Sequence, residues 1–211
     1  MEGFTARWYA KQRGSDSQLR TYRQQARELT DALPDGAEIL EIAPGPGYLT
    51  VELARLWSFR VTGVDLSRTF VGIATAYARQ QNVDVIFRQG DAESLPLPDA
   101  SFGLTVCQAA FKNFGQPVAA LDEMYRVLRP GGTAVIHDMS HESTPADIEA
   151  EVKGMDISRL NGVFVRRTLG LLRLRAASEA RWRELASLSS FRTAKISRYG
   201  ITTEVRLTRP A

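Results

Sequence analysis

The stretch ILEIAPGPGYLTVELARL, residues 39–56, constrains the fold more than any other part of the chain. The segment AEILEIA is an apolar strand. It runs into a turn that carries Gly45 and Gly47 beside Pro44 and Pro46, and an amphipathic helix follows from Tyr48. Glycine has no Cβ, so backbone N–H groups in such a turn can come close to a ligand. Glu41 sits within the strand, just ahead of the turn. The arrangement points to a loop that holds a nucleoside cofactor. GPGYLT matches GxGxxG only in part, because Thr50 occupies the third glycine position. That glycine normally permits close helix–strand packing in a dinucleotide fold, so NAD is disfavoured.

The alternation of strand and helix continues downstream. RVTGVDLS carries a second strand ending at Asp65, and Ser67 can cap a helix that runs to about Gln81. VDVIFRQGDA carries the third strand, ESLPLPDASF a proline-rich loop, and GLTVCQAA the fourth strand. A helix from Pro117 to Leu128 is ended by RPGG, and TAVIHDMS is the fifth strand. Beyond Ser140 the pattern is mostly helical, with a break expected at Gly162. RTAKISRYG and ITTEVRLTRP then form a hairpin with Tyr199-Gly200 near its turn. Ahead of the core, residues 1–35 suggest one or two helices with a break at Gly14 and a cap at Ser15 or Asp16. Leu19, Tyr22, Ala26, Leu29 and Leu33 form the buried stripe there.

Strands separated by helices of 10–15 residues imply a doubly wound, Rossmann-like α/β fold. The sheet is expected to be mostly parallel with a C-terminal antiparallel hairpin, and helices on both faces. One domain spans 1–211: N-terminal helices over 1–35, the core over 37–139, a helical insert over 141–177, and a last helix with closing strands over 178–211.

Composition narrows the setting. The single cysteine, Cys107, rules out an internal disulfide and suits a reducing compartment; lying in LTVC, it reads as a buried, inert thiol. No apolar run approaches the roughly 20 residues of a membrane span, and MEGFTARWYAKQRG lacks a signal-peptide core, so a cytoplasmic location is expected. Residues 151–211 hold 13 Lys/Arg against 5 Asp/Glu. Arg166, Arg167, Arg173 and Arg175 do not gather on one helical face, so a solvated surface is expected rather than a nucleic-acid or membrane site.

In open α/β sheets the ligand lies outside the carboxyl ends of the strands. Gly45 and Gly47 follow the first strand. Asp65 ends the second, where a carboxylate can accept both ribose hydroxyls. Asp91 follows the third, where it could meet the exocyclic amine of adenine. Each alone is weak; their succession at consecutive strand ends is the signal.

These residues carry a resemblance. The chain resembles class I S-adenosylmethionine-dependent methyltransferases of the small-molecule type, over roughly residues 37–139. EIAPGPG is similar to that family's acidic residue followed by GxGxG. GVDLS is similar to its ribose motif, GDAESLPLPDASFGLTVCQAAF to its adenine and fourth-strand motifs, and EMYRVLRPGG to the motif before strand five. Two positions depart: Ala43 stands where the family usually has its first glycine, and Gly103 replaces the aspartate of SFD. The resemblance implies S-adenosyl-L-methionine as cofactor. It implies that Glu41 orders the loop or reaches the methionine amine through water, and that Ala43, Pro44, Gly45 and Gly47 line the methionine and ribose. Asp65 would hold the ribose hydroxyls, with Leu66 packed on adenine. Asp91 and Ala92 would recognise the adenine edge, and Gln108 would offer its backbone to the methionine amine.

The implied activity is methyl transfer to a small-molecule or lipid-like acceptor, mainly by positioning and desolvation. The alternatives are a cofactor-binding module without transferase activity and a nucleotide-dependent oxidoreductase. The acceptor pocket is expected from Phe111, Lys112 and Phe114 after the fourth strand, Trp8 and Tyr9 on an N-terminal lid, and His137 on the fifth strand. His137 is the candidate base if the acceptor must lose a proton; His141 is a weaker one. Three or four metal ligands cannot be assembled around HDMSH, so no metal is expected. The insert's Met155, Leu160, Val163, Phe164, Leu169 and Leu172 are expected to pack, and the protein to be a monomer or homodimer.

Overall fold

Five strands run parallel: β1 (Glu38–Ile42), β2 (Arg60–Asp65), β3 (Ile86–Gln89), β4 (Phe102–Gln108) and β5 (Leu128–Met139). β6 (Lys195–Tyr199) and β7 (Thr202–Thr208) return as a hairpin, and β7 adds antiparallel to β5. The sheet order is β3-β2-β1-β4-β5-β7-β6. β1 lies between β2 and β4, so the winding reverses there and opens a crevice at the carboxyl ends of β1 and β4. The computed structural model describes residues 1–56, 58–155 and 159–211, and their side chains apart from those of Gln12, Arg159 and Leu160. The expected packing role of Leu160 therefore lies outside the described side chains.

Strand alternation divides the core in two. Ile39, Leu104, Val106 and Val135 face α2 (Asp16–Thr30) and α3 (Tyr48–Ala54), where Tyr22, Ala26, Leu29, Leu49 and Leu53 meet them. Leu40, Ile42, Cys107 and Ile136 face the other way, against α5 (Pro117–Val127) and α8 (Glu179–Leu188), with Leu121, Met124, Trp182 and Leu185. Cys107 is fully buried, and burial pushes its thiol far above the ordinary range, as an inert thiol requires. α4 (Arg68–Gln80) begins at Ser67, whose hydroxyl accepts the Phe70 N–H at 3.1 Å. α1 (Gly3–Arg13) lies against α4. Glu2 takes the Arg68 and Thr69 N–H groups and the Thr69 hydroxyl, and Gly3 donates to Thr69 Oγ1.

Three local expectations change. RPGG does not lie outside the fifth strand: Leu128 already pairs with Phe102, and a register shift before Thr133 absorbs the extra residues as a bulge. Gly162 does not break the insert. The break follows α6 (Pro145–Gly154), where Met155 turns extended at φ −86° and ψ 134°. α7 (Arg159–Arg175) runs through Gly162, where a Cβ would stand 3.5 Å from Val152 of α6. That is an ordinary van der Waals distance, so an alanine would also fit there, and the helix carries the glycine at a cost of about 1 kcal/mol. Val163 and Phe164 are exposed rather than packed, while Leu169 and Leu172 are half-buried. Among the described residues no helix is long and apolar enough to cross a membrane.

Candidate functional site

The loop after β1 takes left-handed backbone at Ala43 (φ 54°), Gly45 (φ 56°) and Gly47 (φ 80°). The Ala43 N–H stays on Val64 O at 2.8 Å, which ties the loop to β2. Gly45 donates its N–H to Asp65 Oδ2 at 2.9 Å, and Ser67 donates to Asp65 Oδ1 at 2.8 Å. Asp65 thus fixes the loop through one oxygen and the start of α4 through the other. Each oxygen keeps a further lone pair for a ligand hydroxyl. Burial pushes its carboxyl above the ordinary value, against the lowering effect of the two N–H donors.

The two glycines differ. A Cβ on Gly45 would meet nothing within 4 Å, so this residue faces open crevice. A Cβ on Gly47 would stand 2.8 Å from Ala74 Cβ and 2.9 Å from Phe87 Cζ. Packing against α4 and β3 therefore requires glycine at 47 whether or not a ligand approaches.

Glu41 is buried at the end of β1, and among the described residues it has no ion-pair partner. The Thr50 hydroxyl of α3 donates to it. Burial, aided by the nearby Asp65 charge and opposed by that hydrogen bond, pushes Glu41 up to about 7. Thr50 is a site residue that the sequence reading treated only as a missing glycine. A hydroxyl one helical turn into α3, reaching back toward a strand acid, is the signal that could have found it.

Leu66 is 67% exposed beside Asp65, as an apolar platform would be. Asp91 closes a turn by accepting the Glu93 N–H at 2.9 Å. Ala92 is buried in the core. Gln108 directs its amide to Gln25 of α2 at 2.8 Å, and its own backbone remains at the end of β4. Ala109 then turns left-handed at φ 55°, with its N–H on His137 O at 2.7 Å. Both central strands thus end in a left-handed alanine, a conformation that costs roughly 1–2 kcal/mol per residue. Such strain gathers where function fixes the backbone.

The expected acceptor pocket does not come together as one cavity. His137 and Asp138 are consecutive on β5, so they face opposite sides of the sheet. On the α5/α8 side, a cavity of about 260 Å³ is lined by Phe111, Lys112, Phe114, Asp138, Arg175 and Trp182. Lys112 is not free to meet an acceptor there. Its ammonium bonds Asp138 Oδ1 at 2.8 Å and Ala109 O at 2.6 Å, and its N–H bonds Asp138 Oδ2. Phe111 is buried against Trp182, with ring centroids 4.9 Å apart. On the α2 side, a larger cavity of about 570 Å³ is lined by His137, Gln25, Glu28, Tyr199, Glu204 and Arg206, among others. Trp8 and Tyr9 line neither cavity: Trp8 is 55% exposed, and Tyr9 packs edge-on against Phe70 of α4. His141 is exposed. Among the described residues no cluster of three or more His, Cys, Asp or Glu could hold a metal ion.

Comparison with known proteins bears on the core. Residues 40–136 match the family described as methyltransferase domain. Demethylmenaquinone methyltransferase of Deinococcus radiodurans is 36% identical over 99 residues, which are 46% of this chain and 41% of that protein. The 27-O-demethylrifamycin SV methyltransferase of Amycolatopsis mediterranei is 30% identical over 146 residues, 65% of this chain and 54% of that one. The chain thus spans about half the length of the curated relatives it matches. In fold, it is similar to a solved structure described as a putative S-adenosyl-L-methionine-dependent methyltransferase from Methanococcus maripaludis. The TM-score is 0.74 at 19% identity, covering 98% of this chain and 92% of that one.

Proposed function

We propose that this chain, whose residues 40–136 belong to the class I S-adenosylmethionine-dependent methyltransferases, is an enzyme that methylates a small, lipid-like acceptor. The observation that carries the reading is the buried Glu41 carboxylate without a cationic partner, set beneath a left-handed loop at the crevice. S-adenosylmethionine brings an α-ammonium to such a place, and its sulfonium supplies the electrophilic methyl group. Glu41 then gains the countercharge that the protein withholds. Asp65 offers its remaining lone pairs to the ribose hydroxyls, Leu66 a face for adenine, and Gly45 open backbone. With the reactants held in line and water excluded, little acid–base machinery is needed for an acceptor that is already nucleophilic.

The names of the relatives, one acting in menaquinone chemistry and one on a rifamycin, support an extended, partly apolar acceptor. We read the protein further as a cytoplasmic monomer or homodimer without a nucleic-acid partner, in keeping with its buried thiol and dispersed arginines.

Calorimetry with S-adenosylhomocysteine tests the reading. The wild type should bind it and not NAD, and Asp65→Ala should weaken binding by about 2–3 kcal/mol, the scale of lost hydrogen bonds to a charged group. Unchanged affinity in that variant refutes the ribose role. Absence of label transfer from methyl-labelled cofactor to any component of a cell extract, despite tight binding, would favour the binding-module alternative.

A further inference from the structure

The long helix of the insert has two unlike faces. α7 carries five arginines and no acid. Arg166 pairs with Glu149 of α6 at 2.8 Å, and Arg173 donates to Ser143 O at 2.7 Å, so the fold takes up these two cations. Arg167 and Arg175 are exposed, and among the described residues neither has an acidic partner. Around Arg167 the helix is apolar: Val163, Phe164, Leu171 and Leu174 are between 52% and 70% exposed. At about 100° per residue, Arg167 and these four fall within an arc of about 100°, which is one face of the helix. The half-buried Val165, Leu169 and Leu172 lie on the opposite side, where an amphipathic helix normally meets its core. The arginines of α7 are dispersed, as its sequence implies, but its outward apolar residues are gathered.

α1 repeats the pattern. It contains no acid, and Phe4, 81% exposed, stands one turn from exposed Trp8 with exposed Arg7 and Lys11 beside them. Ala6 and Ala10 form its buried side. Arg13, the last residue of α1, lies within electrostatic reach of Glu151 on α6, so α1 ends beside the insert.

Contiguous exposed apolar residues mark a surface that something covers. A second copy of the chain would bring the same arginines against these, with no acid on either helix to meet them. A nucleic acid would meet the arginines but gain little from Val163, Leu171 and Leu174, which offer no ring for bases to stack on. An anionic lipid surface satisfies both parts: its headgroups meet the arginines, and Phe164 and the leucines enter the boundary of the acyl chains.

We propose that α7, with α1 beside it, docks this protein on an anionic membrane surface, lying in the interface without crossing it. The inference goes beyond the methyltransferase reading and does not depend on it. A bilayer is also where a lipid-like acceptor is held.

The test is co-sedimentation of the whole protein, without cofactor, with vesicles of phosphatidylcholine alone or mixed with phosphatidylglycerol. Binding should require phosphatidylglycerol and weaken with added salt. Arg167→Gln should lower the partition coefficient about fivefold, the value of one arginine near such a surface. Phe164→Gln combined with Leu171→Gln should lower it more than about tenfold, since two large side chains no longer insert. All three positions are exposed, so thermal unfolding should be unchanged in both variants. Tryptophan emission should shift to the blue on binding, and Trp8→Phe should remove that shift; a shift that survives overturns the part given to α1. No binding to either vesicle overturns the proposal, and so does equal binding to both. Full binding by the double apolar variant overturns insertion. A dimer in sedimentation equilibrium that the double apolar variant breaks up would assign the face to a second copy. An RNA or DNA oligonucleotide bound at physiological salt and lost in Arg167→Gln would assign it to nucleic acid. Binding of S-adenosylhomocysteine is measured separately, so either reading can fail while the other stands.

Discussion

The carboxylates at the two ends of the crevice are treated in opposite ways. At the β1–β2 end, Glu41 and Asp65 are buried with hydroxyl and N–H donors only, and burial pushes both upward. At the β5–β7 end, Asp138 receives the Lys112 ammonium and N–H together with the Met139 N–H, and Glu204 receives Arg206 and His137. The β5–β7 end is neutralised from within. The β1–β2 end has no cation of its own, so its carboxylates lose charge only by taking up a proton or by meeting a cationic ligand. Under the proposed function, S-adenosylmethionine supplies that cation through its α-ammonium, which NAD lacks.

The largest effect should come from the neutralised end. Lys112→Met leaves Asp138 buried without its cation and should cost about 3–5 kcal/mol in urea unfolding. Adding Asp138→Asn should recover much of that loss. If Lys112→Met is near neutral, the contrast between the ends fails.

Glu41→Gln should act with the opposite sign. Its folded pKa of about 7 lies above the ordinary 4.5, so the native state holds this proton more tightly than the unfolded chain. That contribution is complete below about pH 4.5 and is lost as pH rises through about 7. Without cofactor, the variant should therefore match the wild type near pH 4.5 and exceed it by up to about 3 kcal/mol above pH 7. Urea midpoints across that range measure the difference, and saturating S-adenosylhomocysteine should abolish it. A difference that does not change with pH would break the assignment.

The smallest effect concerns the loop. Ala43→Gly should stabilise the protein by about 1 kcal/mol by relieving left-handed alanine, read as a thermal shift. A destabilisation would show that the Ala43 methyl contributes packing beyond its strain.

Much of this was legible in sequence because it is local. The glycine turn, the Ser67 cap and the strand-end acids each announce themselves within a few residues, and the closing hairpin shows in its alternation and Gly200. Glu204, Arg206, Gln25 and Thr50 were not legible as site residues, because only the folded sheet brings them to their partners. The division of the acceptor region was readable in part: adjacent strand residues point apart, so His137 and Lys112-bound Asp138 could not share a pocket. Gly162 misled because glycine signals a break by default, whereas α7 runs through it. RPGG ends α5 as expected, and only the strand that follows begins earlier than its apolar run suggests.

β5 carries a final consequence. His137 and Asp138 share one peptide unit, yet each is anchored on its own side of the sheet. Lys112 thus pins, from one face, the strand that carries His137 on the other. If that strand couples the two contacts, substitutions at Lys112 and Glu204 should be non-additive in stability.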